Sequence, residues 1–131
     1  MRFVDTSFWV ALQLARDGNH EVAARLWDAE RGALVTSTLV VGETWTYLNR
    51  KAGHRAALAF RRATLALTTL QTISIDEGTE DVAWGWLERR SDRAYSFVDA
   101  TSFALMRRLR LKEALAFDGD FSAAGFIEVR P

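Results

Sequence analysis

Cysteine is absent from this 131-residue chain, which excludes disulfides and thiolate metal sites. Proline occurs once, at position 131, and that scarcity suits a compact, helix-rich globule rather than a disordered or fibrous chain. No apolar run approaches the length of a bilayer span, because Arg, Asp and Glu interrupt each one, so no membrane partner is expected. No charged-then-apolar leader opens the sequence, and a cytoplasmic location is the corresponding expectation. Net charge is lacking too, with seventeen basic against seventeen acidic residues. That balance argues against a uniformly basic nucleic-acid binder, but acids gathered at one site would leave a basic rim elsewhere. The basic residues are nearly all Arg, the side chain suited to bidentate phosphate contacts and to stacking on bases.

What remains is 49% hydrophobic and long enough to enclose one core, so residues 1–131 are expected to form a single domain. Phe3-Val4 is a short apolar strand that runs directly into Asp5-Thr6-Ser7, where a helical pattern through Phe8, Trp9, Ala11, Leu12 and Ala15 begins. Asp17-Gly18-Asn19 ends that helix, and Asn19 is placed to cap a second one through Val22, Ala23, Leu26 and Trp27. Ala33 to Thr36 reads as a strand, followed by a helix from Leu39 to about Lys51 closed by Gly53. Glu43 lies one turn into that helix among Val40, Val41, Trp45 and Leu48, where a carboxylate needs a partner or a metal, or serves the helix dipole.

His54 to Leu70 is expected to be helical and, with the preceding helix, to form an antiparallel hairpin suited to partner binding. Thr72 to Ile75 alternates as a strand, and Asp76 caps a fifth helix. Arg89 to Arg93 is a charged loop, and Ser96 caps a sixth helix with Asp99 at its third position, where a capping box is the competing reading of that acid. Glu113 to Phe117 is a strand that ends at Asp118-Gly119-Asp120, and Ile127 to Val129 is a short edge strand. Trp45, Trp84 and Trp86 sit at helical spacings that favour core or interface roles over base stacking.

Strands alternating with helices predict an α/β fold with a mostly parallel central sheet of four to five short strands flanked by helices. Two strands that end in Asp and two helices with an acid in the first turns put Asp5, Glu43, Asp99 and Asp118 at one sheet edge, the edge where open α/β sheets hold ligands. Each acid alone is an ordinary cap, but four at one edge are expected to converge. Oxygen ligands without His or Cys suit Mg²⁺ or Mn²⁺, and phosphodiester hydrolysis is the matching chemistry.

Together, Phe3-Val4-Asp5-Thr6-Ser7, Glu43, Ser96-Phe97-Val98-Asp99-Ala100 and Phe117-Asp118-Gly119-Asp120-Phe121 resemble the PIN-domain ribonucleases, most closely the VapC-type toxins of prokaryotic toxin–antitoxin pairs. The resemblance covers essentially the whole chain and implies a PIN-like three-layer sandwich. It implies that Asp5, Glu43, Asp99 and Asp118 are the metal-binding catalytic acids, with Thr6, Ser7 and Asp120 auxiliary. It further implies a homodimer, an RNA substrate and a cognate VapB-type antitoxin, for which the hairpin from residue 39 to 70 is the expected groove. Ala116 departs from the family's frequent Thr or Ser before the fourth acid. Two rival readings are a phosphatase of the haloacid dehalogenase type, suggested by Asp118-Gly119-Asp120, and a catalytically inactive dimeric binding module.

Overall fold

The computed structural model describes residues 1–131. Strand β1 (Arg2–Val4) is followed by helices α1 (Thr6–Gln13) and α2 (His20–Ala29), then β2 (Leu34–Ser37). Helices α3 (Thr38–Ala52) and α4 (His54–Ala66) lead to β3 (Leu70–Ile73), and α5 (Glu77–Arg89) and α6 (Phe97–Arg108) to β4 (Glu113–Leu115). A four-residue helix α7 (Asp120–Ala123) and strand β5 (Ile127–Glu128) complete the chain. No helix is long and apolar enough to cross a membrane.

All strand pairs are parallel, in the order β3-β2-β1-β4-β5. From β1 the chain moves outward through β2 to β3, then crosses back to β4 on the other side of β1. Right-handed crossovers put helices made before and after this reversal on opposite faces of the sheet. The packing agrees: α1 lies against α2 and α3, and α3 against α4, whereas α5 packs on α6 and α6 on α7. The reversal also opens a crevice between the carboxyl ends of β1 and β4, the place where such sheets bind ligands.

Central β1 carries Phe3 and Val4, both fully buried, because helices cover both faces and no alternation is left to express. Phe3 stacks on Phe121 at 6.0 Å between ring centroids, and Phe121 meets Phe103 of α6 edge-on at 4.9 Å. The short α7 therefore seals the core beneath the last strands. Edge strand β3 is half open to solvent, and it begins two residues earlier than the Thr72–Ile75 alternation suggests. Its register with β2, Leu34 on Leu70 through Ser37 on Ile73, overrides that local pattern.

Caps account for most helix starts. Ser37 accepts from the Val40 N–H at 3.1 Å and Asp76 from the Thr79 N–H at 2.8 Å. Asn19 precedes α2 without a side-chain cap, and its N–H donates to Asp17 Oδ1 at 2.8 Å. Gly53 joins α3 to α4 at φ 92°, a left-handed conformation that favours glycine.

Candidate active site

Asp5 follows β1 directly, as its first residue beyond the ladder, and is 2% exposed. It also caps α1: its Oδ2 accepts from the Ser7 N–H at 3.1 Å and from the Ser7 hydroxyl at 2.7 Å. Ser7 Oγ in turn accepts from the Phe117 N–H at 2.9 Å. One hydroxyl thus ties the end of the first strand to the segment that carries Asp118.

That segment is held from its other side as well. β4 leaves the ladder at Leu115, two residues earlier than the sequence suggests, because β1 has ended at Val4 and β5 pairs only with Glu113 and Ala114. Arg130 then takes over, its Nη1 donating to the Ala116 carbonyl at 2.8 Å and its guanidinium lying 4.8 Å over the Phe117 ring. Ala116 itself is buried, with its methyl packed into the core. Beyond Asp118, Gly119 adopts φ 79° and turns the chain into α7. Glu128 accepts from the Gly119 and Ser122 N–H groups at 3.3 and 3.0 Å and fixes this turn from below.

Asp99 is the third residue of α6 and 9% exposed. The capping box is complete: Ser96 Oγ accepts from the Asp99 N–H at 2.9 Å, and Asp99 Oδ2 accepts from the Ser96 N–H at 3.1 Å. Capping does not withdraw this acid from the crevice. Carboxylate oxygens of Asp5, Asp99 and Asp118 all lie within 4.8 Å of one another.

Crowding and burial shift these groups as electrostatics requires. Burial, and then the neighbouring Asp118, push the Asp5 carboxyl well above its ordinary range. Burial raises Asp99 to about 6, opposed by its bond to Ser96 and reinforced by Asp118 and Asp120. Asp118 is raised as well, chiefly by burial and further by Asp120 and Glu128. None of the ion pairs in the molecule includes any of the three. Three crowded carboxylates without a cationic side chain are a donor set that fits a hard divalent cation such as Mg²⁺ or Mn²⁺.

The other expected residues stand around this trio. Glu43 lines the same cavity of about 340 Å³ but is exposed on α3 and lies outside the close cluster. Thr6 accepts from the Thr44 hydroxyl at 3.3 Å, which ties α1 to the helix that presents Glu43. Asp120 is paired with Arg93, whose guanidinium binds its Oδ1 at 2.9 Å and also donates to the Asp118 carbonyl at 3.4 Å. Of the Asp118-Gly119-Asp120 pair, only Asp118 thus joins the close cluster, while Asp120 is engaged by an arginine. Sequence reasoning missed Asp17, Asn19 and Tyr47 in the cavity wall. The first two read as turn residues, whereas Tyr47 carried a usable signal, since it lies four residues after Glu43 on the same helical face. Arg93, Glu128 and Arg130 act through contacts distant in sequence, for which no local signal exists.

Against known proteins, a family model described as PIN domain matches residues 2–127. The 23S rRNA-specific endonuclease VapC20 of Mycobacterium tuberculosis, in each of two strains, is 54% identical over 132 residues, spanning 100% of this chain and 99% of the relative. The crystal structure of Mycobacterium tuberculosis VapC20, described as a sarcin-ricin loop cleaving toxin, matches with a TM-score of 0.96 at 53% identity, covering 100% of both chains. A chain of a toxin–antitoxin complex from Klebsiella pneumoniae shares the fold, with a TM-score of 0.70 at 18% identity over 98% of this chain and 100% of that one.

Proposed function

The chain belongs to the PIN-domain family, and on that premise we propose that it is a metal-dependent endoribonuclease, the toxin of a type II toxin–antitoxin pair. The observation that carries this reading is the trio of Asp5, Asp99 and Asp118, mutually within 4.8 Å and without a cationic side chain among them. The three would hold Mg²⁺ or Mn²⁺, and Glu43 completes the catalytic acids from across the cavity. When bound, such an ion neutralises phosphate charge and lowers the pKa of an attacking water.

The chain's own groups supply orientation. Ser7 fixes one oxygen of Asp5 and, through the Phe117 N–H, the approach of Asp118. Ser96 fixes Asp99 through its N–H, so that two of the three acids are aimed before substrate arrives. Prepositioned carboxylates need no reorganisation during the reaction, which is where such sites gain most of their rate. Glu43, exposed and facing the same cavity, is placed to orient water or hold a proton as the strand is cut.

The substrate in this reading is RNA, and the 54% identity to a 23S rRNA-specific endonuclease makes 23S rRNA the first target to test. A VapB-type antitoxin would cover the α3–α4 hairpin. Its apolar recess of about 480 Å³ includes Val41, Trp45 and Leu65, the last 67% exposed. A homodimer of this cytoplasmic toxin is the matching assembly.

Reverse transcription across 23S rRNA, after incubation of ribosomes with the purified chain and Mn²⁺, tests the reading. One discrete new stop, marking the 5′ end of the downstream fragment, that chelator abolishes is expected. Intact 23S rRNA beside cleavage of other RNAs would replace the target, and no metal-dependent cleavage of any RNA would overturn the function.

A further inference from the structure

The catalytic cavity does not end at Glu43. A second, larger groove of about 720 Å³ adjoins it along α3, and Glu43 and Tyr47 border both. Arg50 and Lys51 line its far end. From Glu43, the residues four, seven and eight positions on lie along one side of the helix, about 6 Å and about 10–12 Å further along its axis.

Three observations distinguish this face from an ordinary solvated surface. Tyr47 is 41% exposed, pairs with no other ring and makes no side-chain hydrogen bond, so nothing in the fold accounts for its aromatic group. Trp84, at 48%, is the other exposed aromatic, but it already packs against the Phe97 ring at 4.6 Å. Arg50 and Lys51 are exposed and enter no ion pair, although the chain has as many acids as bases. Arg16 adds a third positive charge there, with Nη2 donating to the Lys51 carbonyl at 2.7 Å. The dipole of α3 favours cations in its last turn, but it offers no reason for an exposed ring between them and the acids.

Resting on the endoribonuclease reading, we propose that this α3 face is the track for the single-stranded RNA flanking the scissile bond, with the Tyr47 ring stacking on a base and Arg50 and Lys51 contacting its phosphates. Charge complementarity selects the occupant. A polyanion bridges an acidic, metal-holding end and a cationic end, and a base is what an unpartnered ring at their junction receives. The span from Glu43 to Lys51 matches about three stacked nucleotides at the single-strand rise. Tyr47 sets which base is accepted by stacking strength, and the cations set how firmly the strand is held.

The test is single-turnover cleavage in Mn²⁺ of a loop-bearing ribosomal RNA fragment that the parent cuts, with protein concentration and salt varied. Tyr47→Ala is expected to raise the half-saturating concentration about 5- to 150-fold, the range for one lost base stack. Tyr47→Phe, which keeps the ring, recovers most of that loss. Arg50→Ala with Lys51→Ala flattens the plot of log affinity against log salt by about 1.4, two phosphate contacts at the single-strand increment. Arg25→Ala, an exposed change on α2 outside both cavities, keeps the parent slope. All variants keep the parent's thermal shift with Mn²⁺, since none touches the three acids.

Parent saturation for Tyr47→Ala together with the parent slope for the double variant would overturn the track and leave the nuclease standing. So would a loss confined to the maximal rate, which would make Tyr47 a support for Glu43, or a loss of antitoxin affinity with RNA saturation unchanged. A parent that cleaves no RNA would overturn both readings.

Discussion

Replacing Asp99 by Asn separates the two roles this residue combines. With burial holding its pKa at about 6 against an ordinary value of 3.8, the ionised Asp99 costs the metal-free fold about 3 kcal/mol at neutral pH. At 9% exposure, solvent screening does little to reduce that figure. The sign follows from linkage: between these two pKa values the folded protein holds the proton more tightly than the unfolded chain. The Asp99 contribution to stability is therefore most favourable below about pH 4, declines as pH rises through about 6, and levels off above about 7. Asn cannot ionise and escapes the penalty, while its Oδ1 still accepts from the Ser96 N–H, giving up only the dipole advantage of a charge, about 0.3–1 kcal/mol. The net gain is about 2 kcal/mol at pH 7.5. For a chain of this length that corresponds to a rise of about 7 °C in Tm. Melting in chelator at pH 7.5 and pH 4 checks it: the variant should melt higher at pH 7.5, with the advantage gone at pH 4. With Mn²⁺ the order should reverse, because the parent alone gains stability from the ion. A variant that melts well below the parent at pH 7.5 in chelator would show Asp99 to be chiefly a cap.

Ser7→Ala removes the acceptor for the Phe117 N–H and the donor to Asp5, and should cost about 1–3 kcal/mol by urea denaturation together with a lower cleavage rate. Arg93→Ala breaks a solvent-screened ion pair with Asp120, so Tm should hardly move. The same change lifts a positive charge from the rim and frees Asp120, so calorimetry should find tighter Mn²⁺ binding; weaker binding would show that Arg93 orders the site. Gly119→Ala meets no clash, its new Cβ lying 3.6 Å from Arg93, but φ of 79° is strained for alanine. A loss of about 1 kcal/mol and a disproportionate fall in cleavage are expected, because the turn carries Asp118.

Much of the fold was legible because local chemistry and tertiary demand agreed. Asp76 and Ser96 announce helices that the structure starts one residue later, and Phe3-Val4-Asp5 reads as a buried strand with an acid at its end. The departures occur where a distant partner decides. β3 shifts because pairing with β2 sets its register, and Ala116-Phe117 leaves the sheet because its neighbours have run out. The four-residue α7 is too short to show a helical period, and it is held by Glu128, which read only as part of an edge strand. At the site, Asp5, Asp99 and Asp118 come together, while Glu43 stands back across the cavity and Asp120 is occupied by Arg93. Sequence spacing could bring these acids to one edge; it could not rank their distances, because those depend on side-chain partners such as Arg93 and Ser7.

The central claim, that the carboxylate trio is one metal-dependent cutting centre, is tested most directly by the cleavage rate of ribosomal RNA as Mn²⁺ is titrated into the chelator-treated chain and its Asp5→Asn variant. No cleavage is expected without the ion, a saturable rise with it for the parent, and a loss of at least about 100-fold in the variant at every concentration. Parent-level cleavage in chelator, or by Asp5→Asn, would contradict it.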